Sequence, residues 1–135
     1  MRIAHVIARM NLGGTARWLD VLTTGLQERG HEVLILAGSV QDGEIEDPAV
    51  FHLPIRRVTH LGRAVSPLDD LRALAEVRAA LADFRPNLVN THTAKAGVVG
   101  RTAVRSMVPN RPALVHTIHG HLLQGYFSPR TVRMV

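Results

Sequence analysis

The chain has 135 residues, of which 46% are hydrophobic and none is cysteine, so we expect one folded domain with a real core and exclude disulfides and wholesale disorder. No apolar run reaches the roughly 20 residues that cross a bilayer, and the first residues lack a signal-peptide layout, which predicts a cytoplasmic protein. The net charge of +5 comes from scattered arginines and only 4% of residues are aromatic, so we predict a solvated basic surface and no nucleic-acid partner.

Five short segments have the apolar and β-branched composition of strands, and each lies near glycine or proline. In chain order they cover residues 2–8, 32–38, 55–61, 87–93 and 113–119. The second is apolar almost throughout, which is typical of a strand buried on both faces of a parallel sheet. The acidic stretch 39–54 is predicted to be a surface connection.

The first predicted helix covers residues 15–29. It places Trp18, Leu22 and Leu26 four residues apart, which predicts one buried face, and Gly30 follows as a typical helix stop.

The second predicted helix begins at Ser66, with Pro67 in its first turn and Pro86 after its end. Its expected core positions are Leu71, Leu74, Leu81 and Phe84. A third helix is predicted over residues 96–108. Strands that alternate with helices predict right-handed βαβ units, and therefore an α/β, Rossmann-like, mostly parallel sheet with helices on both faces.

The loops after the first, fourth and fifth strands carry the candidate site, because parallel strands end at one edge of a sheet, where ligands of open α/β sheets bind. In the first loop, Gly13 and Gly14 lack a Cβ, so a ligand can approach the backbone N–H groups at a helix start that favours phosphate. The sequence contains neither the dinucleotide fingerprint nor a P-loop. A simple tight turn is the alternative interpretation.

The loop after the fourth strand, NTHTAKAG, contains His92, Thr93 and Lys95, the one lysine of the chain. A lysine at a helix start favours anion binding as a point charge. The alternative is a solvent-exposed lysine beside a helix-capping threonine.

The loop after the fifth strand, VHTIHGH, contains His116, His119 and His121. Strand geometry directs His116 and His119 to opposite faces, and no acidic residue follows Asp83, so no metal site is predicted. His116 is interpreted as a core histidine, and His119 at the strand exit as the candidate for ligand contact or chemistry. Hydrolysis by two carboxylates is not supported near these loops.

In this order the segments resemble the N-terminal domain of retaining glycosyltransferases of family 4, the glycosyl transferase group 1 type with two Rossmann-like domains. RIAHVIARMNLGGTARWL is similar to the family's opening strand and G-G-x-E-R loop, FRPNLVNTHTAKAG to its RPDVVHTHTAKAG segment, and LVHTIHGH to its VVHTVHGH segment. The resemblance covers essentially the whole chain. The sequence departs from the family at Ala16, where Glu is frequent, and at Asn90, where many members have His.

The resemblance implies transfer of a sugar from a nucleotide-diphosphate donor to an acceptor hydroxyl, with retention at the anomeric carbon and with neither a metal nor a resident cofactor. It implies donor phosphate or sugar contacts for Gly13, Gly14 and Arg17, and makes His119 the catalytic candidate beside the transferred sugar. The acceptor side would be formed by four residues, His92, Thr93, Lys95 and His121.

The resemblance also implies that residues 1–135 are a partial N-terminal, acceptor-side domain without the donor-binding C-terminal domain, so we expect little or no turnover from this chain. An uncovered sheet edge predicts a homodimer or aggregation-prone behaviour. Lipid-linked acceptors are common in the family, and peripheral membrane association is an alternative to core packing for the apolar residues Leu122, Leu123, Tyr126 and Phe127. A further helix start is predicted at Ser128.

Two other functions remain open. A stand-alone Rossmann-like module would bind a phosphorylated or nucleotide ligand without catalysis. A sugar-nucleotide epimerase of the same architecture would need carboxylates, which the sequence does not place in the three loops.

Overall fold

The computed structural model describes residues 1–62 and 64–119, and these form a five-stranded parallel sheet with helices on both faces. The strands are β1 (Arg2–Ile7), β2 (Glu32–Ala37), β3 (Ile55–Arg57), β4 (Leu88–His92) and β5 (Ala113–Thr117). The helices are α1 (Gly14–Glu28), α2 (Pro67–Phe84) and α3 (Ala94–Arg105), with a short 3-10 helix at Pro48–Phe51. The predicted α/β Rossmann-like fold is confirmed.

The strands lie in the order β3-β2-β1-β4-β5, and every neighbouring pair is parallel. Ile7 at the end of β1 pairs with Ala37 on one side and with His92 on the other. The strands β2 and β3 therefore extend the sheet on one side of β1, and β4 and β5 then extend it on the other. In open α/β sheets such a reversal is the point where a crevice forms outside the carboxyl ends of the strands, here β1 and β4, and where ligands bind. We call this region the crevice.

The larger part of the core lies between the sheet and the helices α2 and α3. Alternate residues of the central strands, Ala4 and Val6 of β1 and Val89 of β4, pack in it against both helices. The helices contribute Val77, Leu81, Phe84, Ala96, Ala103 and Val104. Because strand residues alternate between faces, the intervening positions, including His5 and Ile7, point to the side of α1.

On the opposite face, α1 buries Ala16, Leu19 and Thr23. The prediction that Trp18 lies in the core face was wrong, since its side chain remains 40% exposed, while Leu22 and Leu26 are half-buried. The stripe at 16, 19 and 23 has helical spacing and faces the sheet. Trp18 is rotated away from it, toward the ends of β4 and β5.

Two predictions about α2 also need correction. Ser66 precedes the helix as expected, but its hydroxyl donates to the Asp69 carboxylate at 3.0 Å and caps no backbone N–H. Leu71 is exposed, because the buried stripe runs through Ala73, Val77, Ala80, Leu81 and Phe84, and residue 71 lies on the other side of the helix.

The acidic stretch 39–54 is more than the surface connection that was predicted. Its 3-10 helix buries Ala49, and Leu53 joins the core on the α1 face. Further upstream, Glu46 forms an antiparallel bridge to Asn11, and Glu44 makes an ion pair with Arg9 at 2.9 Å. The stretch therefore packs along the loop that follows β1.

No helix within residues 1–62 and 64–119 has the length and apolarity needed to cross a bilayer. At the edge strand β5, Val115 is exposed on the α1 side of the sheet. The homodimer through a sheet edge stays a prediction. Several other sequence predictions fall outside the described residues, namely those for His121, for the apolar group at 122–127 and for the helix start at Ser128.

Candidate functional site

Three loops meet at the carboxyl edge of the sheet, and Trp18 connects them. Its indole lies edge-on to two imidazoles, with ring centroids 5.6 Å from His92 and 5.0 Å from His119. Trp18 belongs to the second turn of α1, His92 ends β4, and His119 follows β5. The first, fourth and fifth loops are therefore neighbours in space, as their positions after parallel strands predict.

The glycine pair forms the wall of this crevice on the side of α1. Gly13 is the N-cap of α1 with φ 154° and ψ −174°, a conformation in which a side chain would be strained. A Cβ at Gly13 or Gly14 would meet no atom within 4 Å. Open space thus lies directly against the positive end of a helix, which suits an anionic group.

Arg17 lies one turn into α1, and its backbone N–H donates to the Gly13 carbonyl at 3.1 Å. Arg17 is exposed, and its guanidinium forms no ion pair among the residues that the structure describes. The guanidinium is therefore available to an anion that approaches the glycine pair.

Thr93 occupies the N-cap of α3 with φ 68°. A positive φ is strained for a β-branched residue and costs on the order of 1–3 kcal/mol. Its Oγ1 is buried and has no hydrogen-bond partner in residues 1–62 and 64–119. Such strain is concentrated at ligand-binding positions, where the surrounding fold enforces it.

Lys95 forms an ion pair with another residue of the folded chain. Its Nζ lies 2.7 Å from Oδ1 of Asp70 in α2, and it also donates to the carbonyl of Ala64. The side chain is only 15% exposed. In this conformation the ammonium ties the start of α3 to the start of α2, and the acceptor-side role of Lys95 stays a prediction.

Three histidines form a continuous row of hydrogen bonds that runs from the crevice into the core. Nδ1 of His5 lies 2.9 Å from Nε2 of His92, and Nδ1 of His92 lies 2.9 Å from Nε2 of His119. His5 and His92 are buried, whereas His119 is exposed. We call these three residues the histidine row.

The surroundings of the histidine row keep its imidazoles neutral. Burial lowers the pKa of His5 to about 4. The pKa of His92 falls to about 3, first through burial and then through the neighbouring His5, His119 and His116. Burial, followed by the charge of His116, also lowers the pKa of His119. At neutral pH the row therefore offers hydrogen bonds but no positive charge.

His116 points away from the histidine row, which confirms the predicted divergence from His119. It lies on the α3 side of the sheet, where its Nδ1 is 2.9 Å from Oγ1 of Thr91. Within the described part of the chain no three His, Cys, Asp or Glu side chains converge on a common point that would hold a metal ion. The three imidazoles of the histidine row are hydrogen-bonded to one another in sequence. Their nitrogens therefore do not converge on one point where a metal ion could bind.

A separate groove of about 720 Å³ lies between α2 and the segment after α3. Arg78, Arg85, Met107 and Asn110 are among the residues that line it. These residues lie near the amino ends of β4 and β5, at the edge opposite the histidine row. The groove contains none of the candidate site residues.

Sequence reasoning missed His5 and Trp18 as parts of the site. His5 lies in the middle of β1, where an apolar context favours a core assignment, and Trp18 has the spacing of a core position. The alternation of side chains along a strand would have indicated His5. Residues 5 and 7 lie on one face of β1, and residues 90 and 92 lie on the same face of the neighbouring β4, so His5 and His92 share a face of the sheet.

Comparisons of the sequence with known proteins match it to glycosyltransferases. A family model described as Glycosyltransferase Family 4 matches residues 12–134. The UDP-Gal:alpha-D-GlcNAc-diphosphoundecaprenol alpha-1,3-galactosyltransferase of Escherichia coli is 35% identical over 63 residues, which are 47% of this chain and 16% of that protein. The matched segment is thus a small part of this relative.

Among solved structures, MurG from Acinetobacter baumannii superposes with a TM-score of 0.67 at 14% identity, over 99% of this chain and 39% of that one. The UDP-GlcNAc 2-epimerase from Methanocaldococcus jannaschii has a TM-score of 0.60 at 12% identity, over 87% of this chain and 31% of that one. At such identities the likeness shows the fold alone. This chain spans well under half the length of either structure.

Proposed function

The chain belongs to Glycosyltransferase Family 4, and from that premise we propose that it is the acceptor-side part of an enzyme that transfers a sugar from a nucleotide diphosphate to an acceptor hydroxyl. One observation carries the proposal. Trp18 contacts both His92 and His119, so the three loops surround one crevice at the reversal of strand order.

The donor diphosphate would lie against Gly13 and Gly14. Sugar transfer needs stabilisation of the negative charge that develops on the departing diphosphate. The N-terminus of α1 supplies backbone N–H groups and a partial positive charge, and Arg17 adds a full charge one turn further along the helix. This stabilisation requires neither a metal nor a resident cofactor, and we propose that the enzyme uses neither.

The transferred sugar would contact His119 at the mouth of the crevice, which makes His119 the proposed catalytic residue. The acceptor would approach from the side of His92 and Thr93, where the buried Thr93 hydroxyl has no partner among the described residues. We also propose acceptor contacts for Lys95 and His121. Lys95 would have to exchange its Asp70 contact for one with the acceptor.

We further propose that the transfer proceeds with retention of the anomeric configuration and that the acceptor is linked to a lipid at a membrane surface. The Escherichia coli relative, whose name describes a diphosphoundecaprenol-linked substrate, supports the lipid-linked class. The anomeric coupling constant in the product of a transfer-competent chain tests retention. Sedimentation of the chain with anionic vesicles, compared with zwitterionic vesicles, tests the membrane association.

The donor site is tested by titrating the labelled chain with UDP, UDP-galactose and UDP-GlcNAc while recording ¹H–¹⁵N spectra. We expect shifts at the amides of Gly13, Gly14, Arg17 and His119. Arg17→Gln should weaken binding about tenfold, as the loss of one charge-assisted contact implies. Arg29→Gln is the matched control, because Arg29 lies beyond the other end of α1 and bonds the Gly25 carbonyl. Shifts confined to the groove of Arg78 and Asn110, or none at all, would contradict the proposal.

We expect no measurable sugar transfer from this chain alone, because the donor-binding domain that the family architecture implies is not within residues 1–135. Turnover by the purified chain would overturn that expectation. Conversion of UDP-GlcNAc to its 2-epimer would instead favour the epimerase alternative. Nucleotide binding that persists without transfer when a donor-binding domain is supplied would favour the binding module.

A further inference from the structure

The histidine row has a property that its geometry alone determines. It contains three imidazoles and two N···N contacts of 2.9 Å, and each contact needs one hydrogen. A neutral imidazole carries one hydrogen, on either Nδ1 or Nε2. Two of the three hydrogens therefore lie within the row, and the third lies at one of its two ends.

Only two arrangements satisfy both contacts. In the first, Nδ1–H of His5 donates to His92, Nδ1–H of His92 donates to His119, and His119 carries its hydrogen on the outward Nδ1. In the second, every hydrogen is on Nε2, so His119 presents a lone pair at Nδ1 and His5 holds an N–H at its inner end. The three tautomers change together or not at all.

The inner end of the row decides between the two arrangements. Nε2 of His5 is buried and has no hydrogen-bond partner in the described part of the chain. The first arrangement leaves an unpaired lone pair there, whereas the second leaves an unpaired N–H. Unpaired buried N–H groups are the rarer and more costly of the two in folded proteins.

We propose that His5 and His92 are positioning residues that fix His119 in the Nδ1–H tautomer, so that His119 presents a hydrogen-bond donor, and not a base, to a ligand in the crevice. The edge-on contact of Trp18 with His119 and His92 holds both rings in their places in the row. The lowered pKa of His119, which burial and then the neighbouring His116 cause, agrees with this, because it keeps the imidazole neutral at neutral pH.

A fixed donor selects a hydrogen-bond acceptor as its ligand. In the proposed function that acceptor is an oxygen of the nucleotide sugar, either on the diphosphate or on the transferred sugar. This identification of the ligand rests on the proposed function. The tautomer does not, since it can be measured in the chain without any ligand.

The decisive measurement is the long-range ¹H–¹⁵N spectrum of the imidazoles in the ligand-free chain at pH 7.5. We expect a protonated Nδ1 and an unprotonated Nε2 at His5, His92 and His119 alike. A hydrogen on Nε2 of any of the three, or a His119 signal averaged between the two tautomers, would overturn the inference.

His5→Asn tests the positioning role of His5. The amide reaches the place of Nδ1 but can either donate or accept after a flip, so the direction of the row is no longer fixed. We expect the His119 signal to become an average of both tautomers. His52→Gln is the control, since His52 bonds Asp20 outside the row, and it should leave His119 unchanged. If His5→Asn does not fold, the spectrum of the unmodified chain decides alone.

Ligand titrations separate the two oxygen sources. A shift of the His119 Nδ1–H signal on addition of UDP assigns the contact to the diphosphate, and a shift that appears only with UDP-GlcNAc assigns it to the sugar. If neither compound moves the signal while other crevice residues respond, the ligand contact of His119 is wrong. If no residue responds, the donor site of the proposed function is wrong and the tautomer result is unaffected.

Discussion

Nδ1 of His5 and Nε2 of His92 are hydrogen-bonded at 2.9 Å although 87 positions separate the two residues in the chain. They do not face each other in the strand register. His5 pairs with Asn90 and His92 pairs with Ile7, so the imidazoles meet diagonally on the α1 side of the β1–β4 pair. Both rings are buried. They therefore stay neutral in the folded chain at pH values where the solvent would protonate an exposed histidine.

This burial predicts a loss of stability in mild acid. In the unfolded chain both histidines take up protons as the pH falls below about 6.5, while in the folded chain their pKa values are about 4 and about 3. The free energy of unfolding should therefore decrease as the pH falls from 6.5 toward 4, by on the order of 3 kcal/mol from His5 alone.

Urea denaturation at pH 7.5, 6.5 and 5.0 measures this slope above the ordinary carboxylate pKa values of about 4. His5→Phe keeps a ring in the core and removes one of the two groups, so its slope should be shallower. Equal stability of the unmodified chain at pH 7.5 and 5.0 would show that the two histidines do not resist protonation.

Gly13 and Gly14 should respond differently to the same substitution. Gly13→Ala introduces a side chain at φ 154°, whereas Gly14 is the first residue of α1 and has no positive φ. We expect Gly13→Ala to lower the free energy of unfolding by about 1–2 kcal/mol and Gly14→Ala to leave it unchanged or raise it slightly. Neither Cβ would meet an atom within 4 Å, so a common loss in both variants would refute the role of φ.

Gly38 is a position where no side chain fits. A Cβ there would lie 1.5 Å from the Leu61 carbonyl oxygen and 2.3 Å from that of Ala8, and both are backbone atoms that side-chain rotation cannot move. We expect Gly38→Ala to cost more than about 3 kcal/mol, seen as loss of the cooperative thermal transition in circular dichroism. Gly62→Ala is the matched control, because its Cβ would meet nothing within 4 Å. A folded Gly38→Ala chain of normal stability would contradict this packing.

Thr93→Gly should stabilise the fold and weaken the site. The substitution removes the strained φ of 68° and a buried hydroxyl without a partner among the described residues, and we expect a gain of about 1 kcal/mol after the entropy cost of glycine. Arg85→Gly is the matched control, since Arg85 has φ 50° at the end of α2, far from the crevice. Both variants should gain stability in urea denaturation. In a transfer-competent chain only Thr93→Gly should raise the KM for the acceptor, and an equal KM in both variants would argue against an acceptor at Thr93.

The position of the candidate site follows from the sequence because it depends on chain order alone. Each candidate loop comes directly after a strand, and parallel strands end at one edge. Gly13, His92 and His119 therefore fall together without knowledge of any contact. The location of Lys95 follows in the same way, but its pairing with Asp70 does not, because it depends on how far α3 and α2 approach each other.

The parts that the sequence did not predict depend on register and rotation. His5 joins the row only because β1 and β4 pair in a register that puts His5 diagonal to His92. Trp18 joins the site because α1 rests on Ala16 and Leu19, which turns residue 18 toward the crevice. Spacing in the sequence cannot distinguish this rotation from one that buries Trp18, since both have helical periodicity.

Because the strand order reverses at β1, the two edges of β1 meet their partner strands at different times during synthesis. β1 pairs with β2 through residues about 30 positions apart, as in Arg2↔Glu32, but with β4 through residues about 85 positions apart, as in Ile3↔Leu88. At 5–20 residues per second a ribosome needs roughly 3–11 s to advance from the end of β2 to the end of β4. For that interval one edge of β1 has no partner and is open to other chains. The crevice between β1 and β4 is thus the last feature of the sheet's centre to form on a nascent polypeptide.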